Sequence, residues 1–344
     1  MDKRPHVLIV TPYGASANNG NWRTAARWER LLGSRYRVTV RTASEGLADA
    51  DVLVALHARR CHAEVAAWRE RHGKRPCVVV LTGTDLYRDV PMGDAAALAS
   101  LDFADRLIVL QESGLDDLPP LHRAKARVVY QSAPALFPRA KPDGRLECVF
   151  VGHLRPEKDP LILVRAAARL RHRRDVGITL IGGARDEATA RRVRSAARRA
   201  PNVRLAGALT HARAREAMRR AHLLAVPSVM EGGANVVAEA LTAGTPVIAS
   251  RVPGNVGMLG AGYPGYFPAG DDRALARLLA RAARDGRYLA LLQRLGRARS
   301  RRFTRERERA SLIEVLEPLL APEAAGREEE AGARRRGLGA GNGR

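Results

Sequence analysis

Short apolar runs rich in β-branched residues alternate along the chain with longer stretches of helical periodicity. In the first half the apolar runs are HVLIVTP, YRVTVRT, DVLVALH, CVVVLTG, DRLIVLQ and RVVYQS, and helix-length stretches such as WRTAARWERLL lie between several of them. After a segment rich in proline and polar residues, the alternation resumes with LECVFVGHL, VGITLIGG, NVRLAGAL, HLLAVPS and TPVIAS. Strands that alternate with helices of this length form βαβ units around parallel sheets. The pattern therefore predicts an α/β protein with two doubly wound, Rossmann-like domains.

The break in the pattern sets the predicted domain boundaries. We place the first domain at residues 1–135, a linker at 136–145 and the second domain at 146–300. We expect a helix over 301–321 to pack back toward the first domain, and the low-complexity composition of 322–344 predicts a disordered tail. Ligands of doubly wound sheets bind beyond the carboxyl ends of the strands, so two facing domains predict a site in the cleft between them.

Composition narrows the classes of function. The formal net charge of +23 would suit a polyanionic partner, but the arginines are spread over helical segments and aromatic residues are only 4% of the chain. We therefore expect no nucleic-acid partner. No apolar run approaches the roughly 18 residues of a membrane-spanning helix, and the first residues lack the cleavage site of a signal peptide. With three widely spaced cysteines, these features predict a cytoplasmic protein without stable membrane association, and they leave its oligomeric state open.

Two glutamates stand eight residues apart in PSVMEGGANVVAEALTAGTPVIAS, residues 227–250. The segment reads as a strand, a turn and a short helix that ends at Gly244. The glycines after Glu231 permit close approach of the backbone to a ligand, and the helix start offers N–H donors to an anion. Glu239 lies inside the helix among apolar neighbours, where a carboxylate needs a partner such as the two hydroxyls of a ribose. The alternative, one helix-capping and one solvated glutamate, does not explain those apolar neighbours.

Cationic side chains follow the first strand of the second domain. In FVGHLRPEKDP the strand ends at Gly152, and His153, Arg155 and Lys158 come before the next helix. Cations at the carboxyl end of a strand, next to a helix N-terminus, suit a diphosphate.

Three loops of the first domain carry polar and cationic residues after a strand. They are SANNGNWR with Arg23, LHARRC with His57, and LTGTDLYRD. We expect these loops to make their side of the cleft favourable to anions, with His57 as an acid, a base or a hydrogen-bond donor. For any single residue among them, a solvated basic loop is the competing interpretation.

Two classes of cofactor site are disfavoured. Asp49 and Asp51 precede a strand and lie in a plain turn, which is a poor place for a Mg²⁺ site at a ligand cleft. No GxGxxG follows the first strand, which disfavours a nicotinamide enzyme. We therefore expect no metal and no cofactor.

The two second-domain motifs, PSVMEGGANVVAEALTAGTPVIAS and VGHLRPEK, resemble those of the retaining GT-B glycosyltransferases of family 4. The resemblance covers nearly the whole chain and implies a GT-B fold, with Glu231 against the donor sugar, Glu239 on the ribose and Lys158 at the diphosphate. The donor-binding residues that it implies are Gly152, His153, Arg155, Lys158, Glu231, Gly232, Gly233, Ala234, Asn235, Val236 and Glu239. This sequence departs from the family at His153, where an arginine is usual, and we expect Arg155 to compensate.

The loops NNGNWRTAARW, HARR and LTGTDLYRD, together with EGGANVVAEAL, are similar to those of the selenosugar synthases of selenoneine biosynthesis. This narrower resemblance implies that selenophosphate accepts the sugar of UDP-N-acetylglucosamine or UDP-glucose, forming a carbon–selenium bond and releasing UDP and phosphate. The predicted acceptor-binding residues are Asn19, Gly20, Asn21, Arg23, Arg59, Arg60, Thr82, Thr84 and Asp85, and the predicted catalytic residues are Glu231, Lys158 and His57. The alternative is an ordinary family 4 hexosyl transferase acting on a sugar, a lipid or a small alcohol. The hexose, retention or inversion at C1, and the cations that bind the acceptor phosphate stay open.

Overall fold

The computed structural model describes residues 4–15, 20–137 and 139–321, and the strands of this part of the chain form two parallel sheets. The first has the order β2-β1-β3-β4-β5-β6 and the second the order β12-β11-β10-β7-β8-β9. The strands are β1 His6–Thr11, β2 Arg37–Thr42, β3 Val52–Leu56, β4 Cys77–Leu81, β5 Arg106–Val109, β6 Ala126–Val128, β7 Leu146–Val151, β8 Val176–Ile181, β9 Val203–Gly207, β10 Leu223–Val226, β11 Val247–Ser250 and β12 Tyr266–Phe267. We call β1–β6 with their helices the N-terminal unit and β7–β12 with theirs the C-terminal unit.

Helices connect the strands and cover both faces of each sheet. They are α1 Gly20–Leu32, α2 His62–His72, α3 Ala95–Phe103, α4 Ser113–Asp116, α5 Pro120–Arg123, α6 Pro160–Arg169, α7 Glu187–Ala197, α8 His211–Arg220, α9 Asn235–Thr242, α10 Pro253–Leu259, α11 Asp272–Arg284, α12 Gly286–Ser300 and α13 Arg305–Leu320. None of them is long and apolar enough to cross a membrane, within the residues that the structure describes. The predicted pair of parallel-sheet α/β units is confirmed.

The central strands are continuous apolar runs because both of their faces are covered. Along β1, Leu8 and Val10 pack into one core cluster of the N-terminal unit, while Val7 and Ile9 pack into the cluster on the opposite face. Side chains alternate across a strand, so a strand that is buried on both sides needs no polar face. The pattern missed β12, because a strand of two residues is too short to carry a periodic signal.

The last described helix returns to the N-terminal unit. Leu312, Val315 and Leu316 of α13 belong to the same core cluster as Trp28 of α1. On the same helix, Glu308 is almost fully buried and accepts hydrogen bonds from Arg27 Nε at 3.0 Å and from Trp28 Nε1 at 2.8 Å. The tail predicted over 322–344 lies outside the described residues.

Candidate active site

A cleft of 760 Å³ lies between the two units and is lined by the loops that follow their strands. From the N-terminal unit, His57 follows β3 and Thr82 follows β4, and from the C-terminal unit, Gly152 follows β7 and Gly182 follows β8. Because strands of a parallel sheet present their carboxyl ends at one edge, residues far apart in sequence meet here.

Most of the predicted site residues line this cleft. They are Gly20, Asn21, Arg23, His57, Arg60, Thr82, Thr84, Gly152, His153, Arg155, Lys158, Glu231, Gly232, Gly233, Asn235, Val236 and Glu239. Ala234 is buried next to the start of α9, and Arg59 and Asp85 are not part of the lining. Asn19 lies outside the described residues.

Glu231 and Lys158 form a largely buried ion pair between the loops that follow β10 and β7. Lys158 Nζ lies 2.5 Å from Glu231 Oε1, and Ser228 Oγ donates to the same oxygen at 2.5 Å. The side chains are 18% and 7% exposed, respectively. A carboxylate that is removed from water in this way needs a charged partner. Lys158 therefore reaches the cleft as half of an ion pair.

Glu239 also has a partner, which the sequence interpretation missed. His211 Nε2 lies 2.7 Å from Glu239 Oε1, and the glutamate side chain is 15% exposed. His211 is the first residue of α8, the helix that follows β9. The rule that singled out the other loops, a polar residue after the carboxyl end of a strand, would have found it.

The two helix starts near the cleft differ in their capping. At α6, Asp159 has a positive φ of 39° and its side chain accepts from Ile162 N at 3.4 Å. Burial raises the pKa of Asp159, and the hydrogen bond from Ile162 N opposes this effect. At α9, the residue before the helix is Ala234, whose methyl side chain cannot accept a capping hydrogen bond. Within the described part of the chain, no side chain caps the first N–H groups of α9, whereas the predicted use of the α6 start for an anion conflicts with a carboxylate already there.

The diglycine after Glu231 lies at a contact between the units. A Cβ on Gly232 would lie 2.2 Å from Thr82 O, and a Cβ on Gly233 would lie 2.4 Å from Leu110 Cβ. Opposite Gly232 is Gly83, whose φ is +139°. We predicted glycine here for close approach to a ligand, but the close approach in the structure is between the two backbones. The loop that follows β10 and the loop that follows β4 are therefore in direct contact.

Asp85 is fully buried and joins two loops of the N-terminal unit. Its carboxylate accepts hydrogen bonds from Thr82 N at 2.9 Å, Gly83 N at 2.8 Å and Ala58 N at 3.0 Å. Such bonds stabilise a carboxylate without a cation. Asp85, predicted to bind the acceptor, therefore shapes the loop that carries Thr82 and Thr84.

His57 is buried beside Asp85 and has a φ of +120°, which is rare for a residue other than glycine. Its Nε2 lies 2.9 Å from Thr84 Oγ1, and its Nδ1 accepts from Arg60 N at 3.2 Å. Asp85 Oδ2 is 3.6 Å from Nδ1, too far for a hydrogen bond. Burial lowers the pKa of His57, and the charge of Asp85 opposes this effect without reversing it. The ring is therefore neutral at neutral pH.

Arginines line the N-terminal side of the cleft. Arg23, Arg27 and Arg30 lie on one face of α1, because residues four and three apart are neighbours on a helix. This spacing was present in WRTAARWER, and the sequence interpretation took only Arg23 from it. Arg60 also lines the cleft, 5.4 Å from the ring centre of Tyr13.

Arg59, in contrast, turns away from the cleft. Its Nε lies 2.8 Å from Asp94 Oδ2, and its Nη1 lies 3.9 Å from Asp89 Oδ1. Of the two adjacent arginines predicted to bind the acceptor, Arg60 alone belongs to the lining. No group of three or more histidine, cysteine, aspartate or glutamate side chains in the described residues is placed to hold a metal ion.

Sequence comparison matches residues 134–301 to the family of glycosyl transferases group 1. Similar proteins include the D-inositol 3-phosphate glycosyltransferase of Salinispora tropica, 33% identical over 181 residues that are 48% of this chain and 37% of the relative. The D-inositol 3-phosphate glycosyltransferase of Saccharomonospora viridis is 28% identical over 244 residues, 63% of this chain and 56% of the relative. The chain spans less than two thirds of the length of these relatives.

Solved structures of similar fold cover nearly all of the chain. Sucrose-phosphate synthase from Thermosynechococcus elongatus superposes with a TM-score of 0.77 at 18% identity, over 92% of this chain and 100% of that one. Anabaena HepE in complex with UDP and glucose superposes with a TM-score of 0.72 at 16% identity, over the same shares. At these identities the likeness concerns the fold. The predicted GT-B fold is confirmed, and residues 134–301 are similar to the glycosyl transferases group 1 family.

Proposed function

We propose that this protein transfers the sugar of a UDP-sugar to selenophosphate and forms a selenosugar. The observation that carries the proposal is the asymmetry of the cleft. Two carboxylates, Glu231 and Glu239, line the C-terminal side, and the N-terminal side is lined by Arg23, Arg30 and Arg60, beside Arg27, which is paired with Glu308. The first arrangement suits sugar and ribose hydroxyls, whereas the second suits a small anion.

Two of the comparisons support parts of this proposal. HepE, which shares the fold, has been solved with UDP and glucose and with UDP-glucose. The sequence relatives are named for D-inositol 3-phosphate, which is a phosphorylated molecule. A nucleotide-sugar donor and an acceptor that carries a phosphate therefore agree with the charge on the two sides of the cleft.

On the donor side, we assign the ribose hydroxyls to Glu239, which shares one carboxylate oxygen with His211. The donor sugar lies against Glu231, and the diphosphate lies between Lys158 and the uncapped start of α9. Uracil lies beside the glycines after β8, which line the cleft. Arg155 also lines the cleft and supplies a cation close in sequence to His153.

The reaction needs no base on the acceptor. As the bond between C1 and the UDP oxygen breaks, positive charge develops on the sugar and negative charge on UDP. Lys158 and the N–H groups of α9 stabilise the leaving group electrostatically. A selenium lone pair of selenophosphate forms the bond to C1, giving a sugar–selenium–phosphate adduct and UDP. Water then cleaves the selenium–phosphorus bond and releases phosphate and the selenosugar.

The second candidate function is hexosyl transfer to a phosphorylated alcohol, and the names of the relatives favour it. The two candidates are separated by supplying UDP-N-acetylglucosamine or UDP-glucose with selenophosphate and, in parallel, with inositol phosphate and simple alcohols. A selenium-containing sugar and an equal amount of UDP support the first function. UDP release only with an alcohol supports the second. Salt-sensitive retention on DNA, without UDP binding, would exclude both.

A further inference from the structure

A hydrogen bond joins His57 and Thr84 at the N-terminal edge of the cleft, and Asp85 binds the backbone of both of their loops, so that the three residues form one unit. We infer that this unit holds Thr84 as a hydrogen-bond donor to the anionic acceptor, and that His57 is a positioning residue that exchanges no proton during the reaction. The inference rests on the proposed function, which it makes more specific. It assigns His57 a role that differs from the catalytic one that the sequence predicts.

The direction of the hydrogen bonds follows from one backbone group. An N–H of the main chain can only donate, and Arg60 N lies 3.2 Å from His57 Nδ1. Nδ1 is therefore the acceptor nitrogen, and the proton of the neutral ring is on Nε2. That proton is donated to Thr84 Oγ1 at 2.9 Å. Since the Thr84 oxygen accepts this bond, its own proton remains available for another group.

The available proton of Thr84 faces the substrate cleft. Thr84 is part of the lining, and among the described residues its hydroxyl makes no side-chain hydrogen bond other than the one with His57. Arg60, which fixes the ring through its backbone, also lines the cleft with its side chain. The cleft thus presents both a hydroxyl donor and a guanidinium, two groups that suit phosphate oxygens.

Asp85 makes the unit rigid. Its carboxylate holds Ala58 N, next to His57, together with Thr82 N and Gly83 N on the other loop. His57 keeps an unfavourable φ of +120°, and such a conformation persists where the surroundings over-determine it. The unit therefore places the Thr84 hydroxyl before the acceptor arrives.

The charges around His57 keep its ring neutral. Burial has the largest effect and lowers the pKa of His57. Asp85 and Asp89 act in the opposite direction, while Arg60 and Arg88 add to the effect of burial. A ring that is neutral and engaged at both nitrogens has no free site for a proton from the acceptor.

The test uses three variants and two ligands. Thr84→Val removes the hydroxyl at nearly constant shape, Thr84→Ser keeps it, and His57→Gln keeps an N–H donor near the Nε2 position without a titratable ring. The KM of selenophosphate is measured in the complete reaction, and the Kd of inorganic phosphate is measured by calorimetry with UDP present. The Kd of UDP and the thermal unfolding temperature show whether each variant is folded.

In Thr84→Val we expect the KM of selenophosphate and the Kd of phosphate to rise about 10- to 100-fold, the usual effect of losing a hydrogen bond to a charged group, with the Kd of UDP unchanged. Thr84→Ser should restore both values. His57→Gln should keep kcat within about tenfold of that of the parent protein. The pH profile of kcat should keep its shape, because the substitution removes no proton-transfer group.

Two results would overturn the inference. One is unchanged phosphate binding in Thr84→Val, or no phosphate binding by the parent protein. The other is a loss of kcat of about 100-fold or more in His57→Gln, together with the loss of one limb of the pH profile, as expected for a general acid or base. If the parent protein forms no selenosugar, the proposed function fails, and the phosphate titrations still decide the role of Thr84.

Discussion

The two sides of the cleft satisfy their buried carboxylates differently. On the C-terminal side, Glu231 and Glu239 are paired with the side chains Lys158 and His211. On the N-terminal side, Asp85 is held by backbone N–H groups. In the first case each carboxylate is committed to a side-chain partner. In the second case no arginine is needed to neutralise Asp85, and two other arginines of that side are paired with other carboxylates.

This difference separates two kinds of recognition. Carboxylates that are already hydrogen-bonded to side chains can exchange those bonds with neutral hydroxyls. A surface with excess arginine attracts an anion and is sensitive to salt. The C-terminal side is therefore suited to the sugar and ribose, and the N-terminal side to the acceptor. The variants below alter one side at a time.

The largest expected effect is that of Glu231→Ala. The change leaves Lys158 without its partner and removes the proposed contact to the donor sugar. We expect kcat to fall on the order of 10²- to 10³-fold, as when one preorganised polar group of an active site is lost. UDP release under saturating substrates measures it. Glu314→Ala, an exposed change on α13, is the control and should keep the parent rate.

Gly232→Ala should separate the two sides. The added Cβ would lie 2.2 Å from Thr82 O, so one loop has to move away from the other. A displacement of this kind costs about 100-fold in kcat/KM because the two substrates lose their alignment. Calorimetry should show nearly unchanged UDP binding, since the donor side itself is intact. Gly262→Ala, where a Cβ meets nothing within 4 Å, is the matched control. An active Gly232→Ala variant would show that the contact between the units is dispensable.

The adjacent arginines of the loop after β3 provide a sharper comparison. Arg60→Ala should raise the KM of selenophosphate about tenfold, in the range of one hydrogen bond to a charged group. Arg59→Ala removes a half-exposed ion pair with Asp94, for which we expect less than about 1 kcal/mol in stability and little change in KM. Equal effects of the two changes on KM would contradict the assignment of Arg60 to the acceptor.

The smallest effect concerns stability and pH. Burial lowers the pKa of His57 in the folded chain below its ordinary value of 6.5, which the unfolded chain keeps. At pH values between the lowered pKa and 6.5, the folded chain therefore binds fewer protons than the unfolded chain. The free energy of unfolding should therefore rise with pH through the window that ends near 6.5, and its contribution from His57 is lost on acidification. Denaturant titrations of the parent protein and His57→Gln across this window should give a steeper pH dependence for the parent. Equal slopes would mean that His57 is not held neutral.

Much of the fold and of the C-terminal side of the cleft could be predicted because the determinants are local. Buried parallel strands are recognisable in the sequence as apolar runs. Glu231 and Glu239 belong to one strand–turn–helix segment of the sequence. The spacing of Arg23, Arg27 and Arg30 on α1 was also legible from the helical period. In these cases the neighbours along the chain decide where a side chain points.

The acceptor side could be predicted less well because distant partners decide it. Arg59 and Arg60 are adjacent, and Arg59 is paired with Asp94 and Asp89, which lie elsewhere in the sequence. The sequence suggests that Asp85 binds a ligand, but in the structure its carboxylate accepts a hydrogen bond from Ala58 N of another loop. The diglycine pattern is the same whether a ligand or Thr82 of the other unit approaches it, so the sequence alone cannot distinguish the two.

The division of the cleft into a donor side and an acceptor side is tested most directly by one kinetic series. The KM of the UDP-sugar and the KM of selenophosphate are measured in Glu239→Ala and in Arg60→Ala. We predict a crossed result. Glu239→Ala should weaken donor binding by about 1.5–3 kcal/mol and leave the acceptor KM near the parent value, and Arg60→Ala should do the reverse. Unchanged donor affinity in Glu239→Ala, or parallel changes of both constants in both variants, would contradict it.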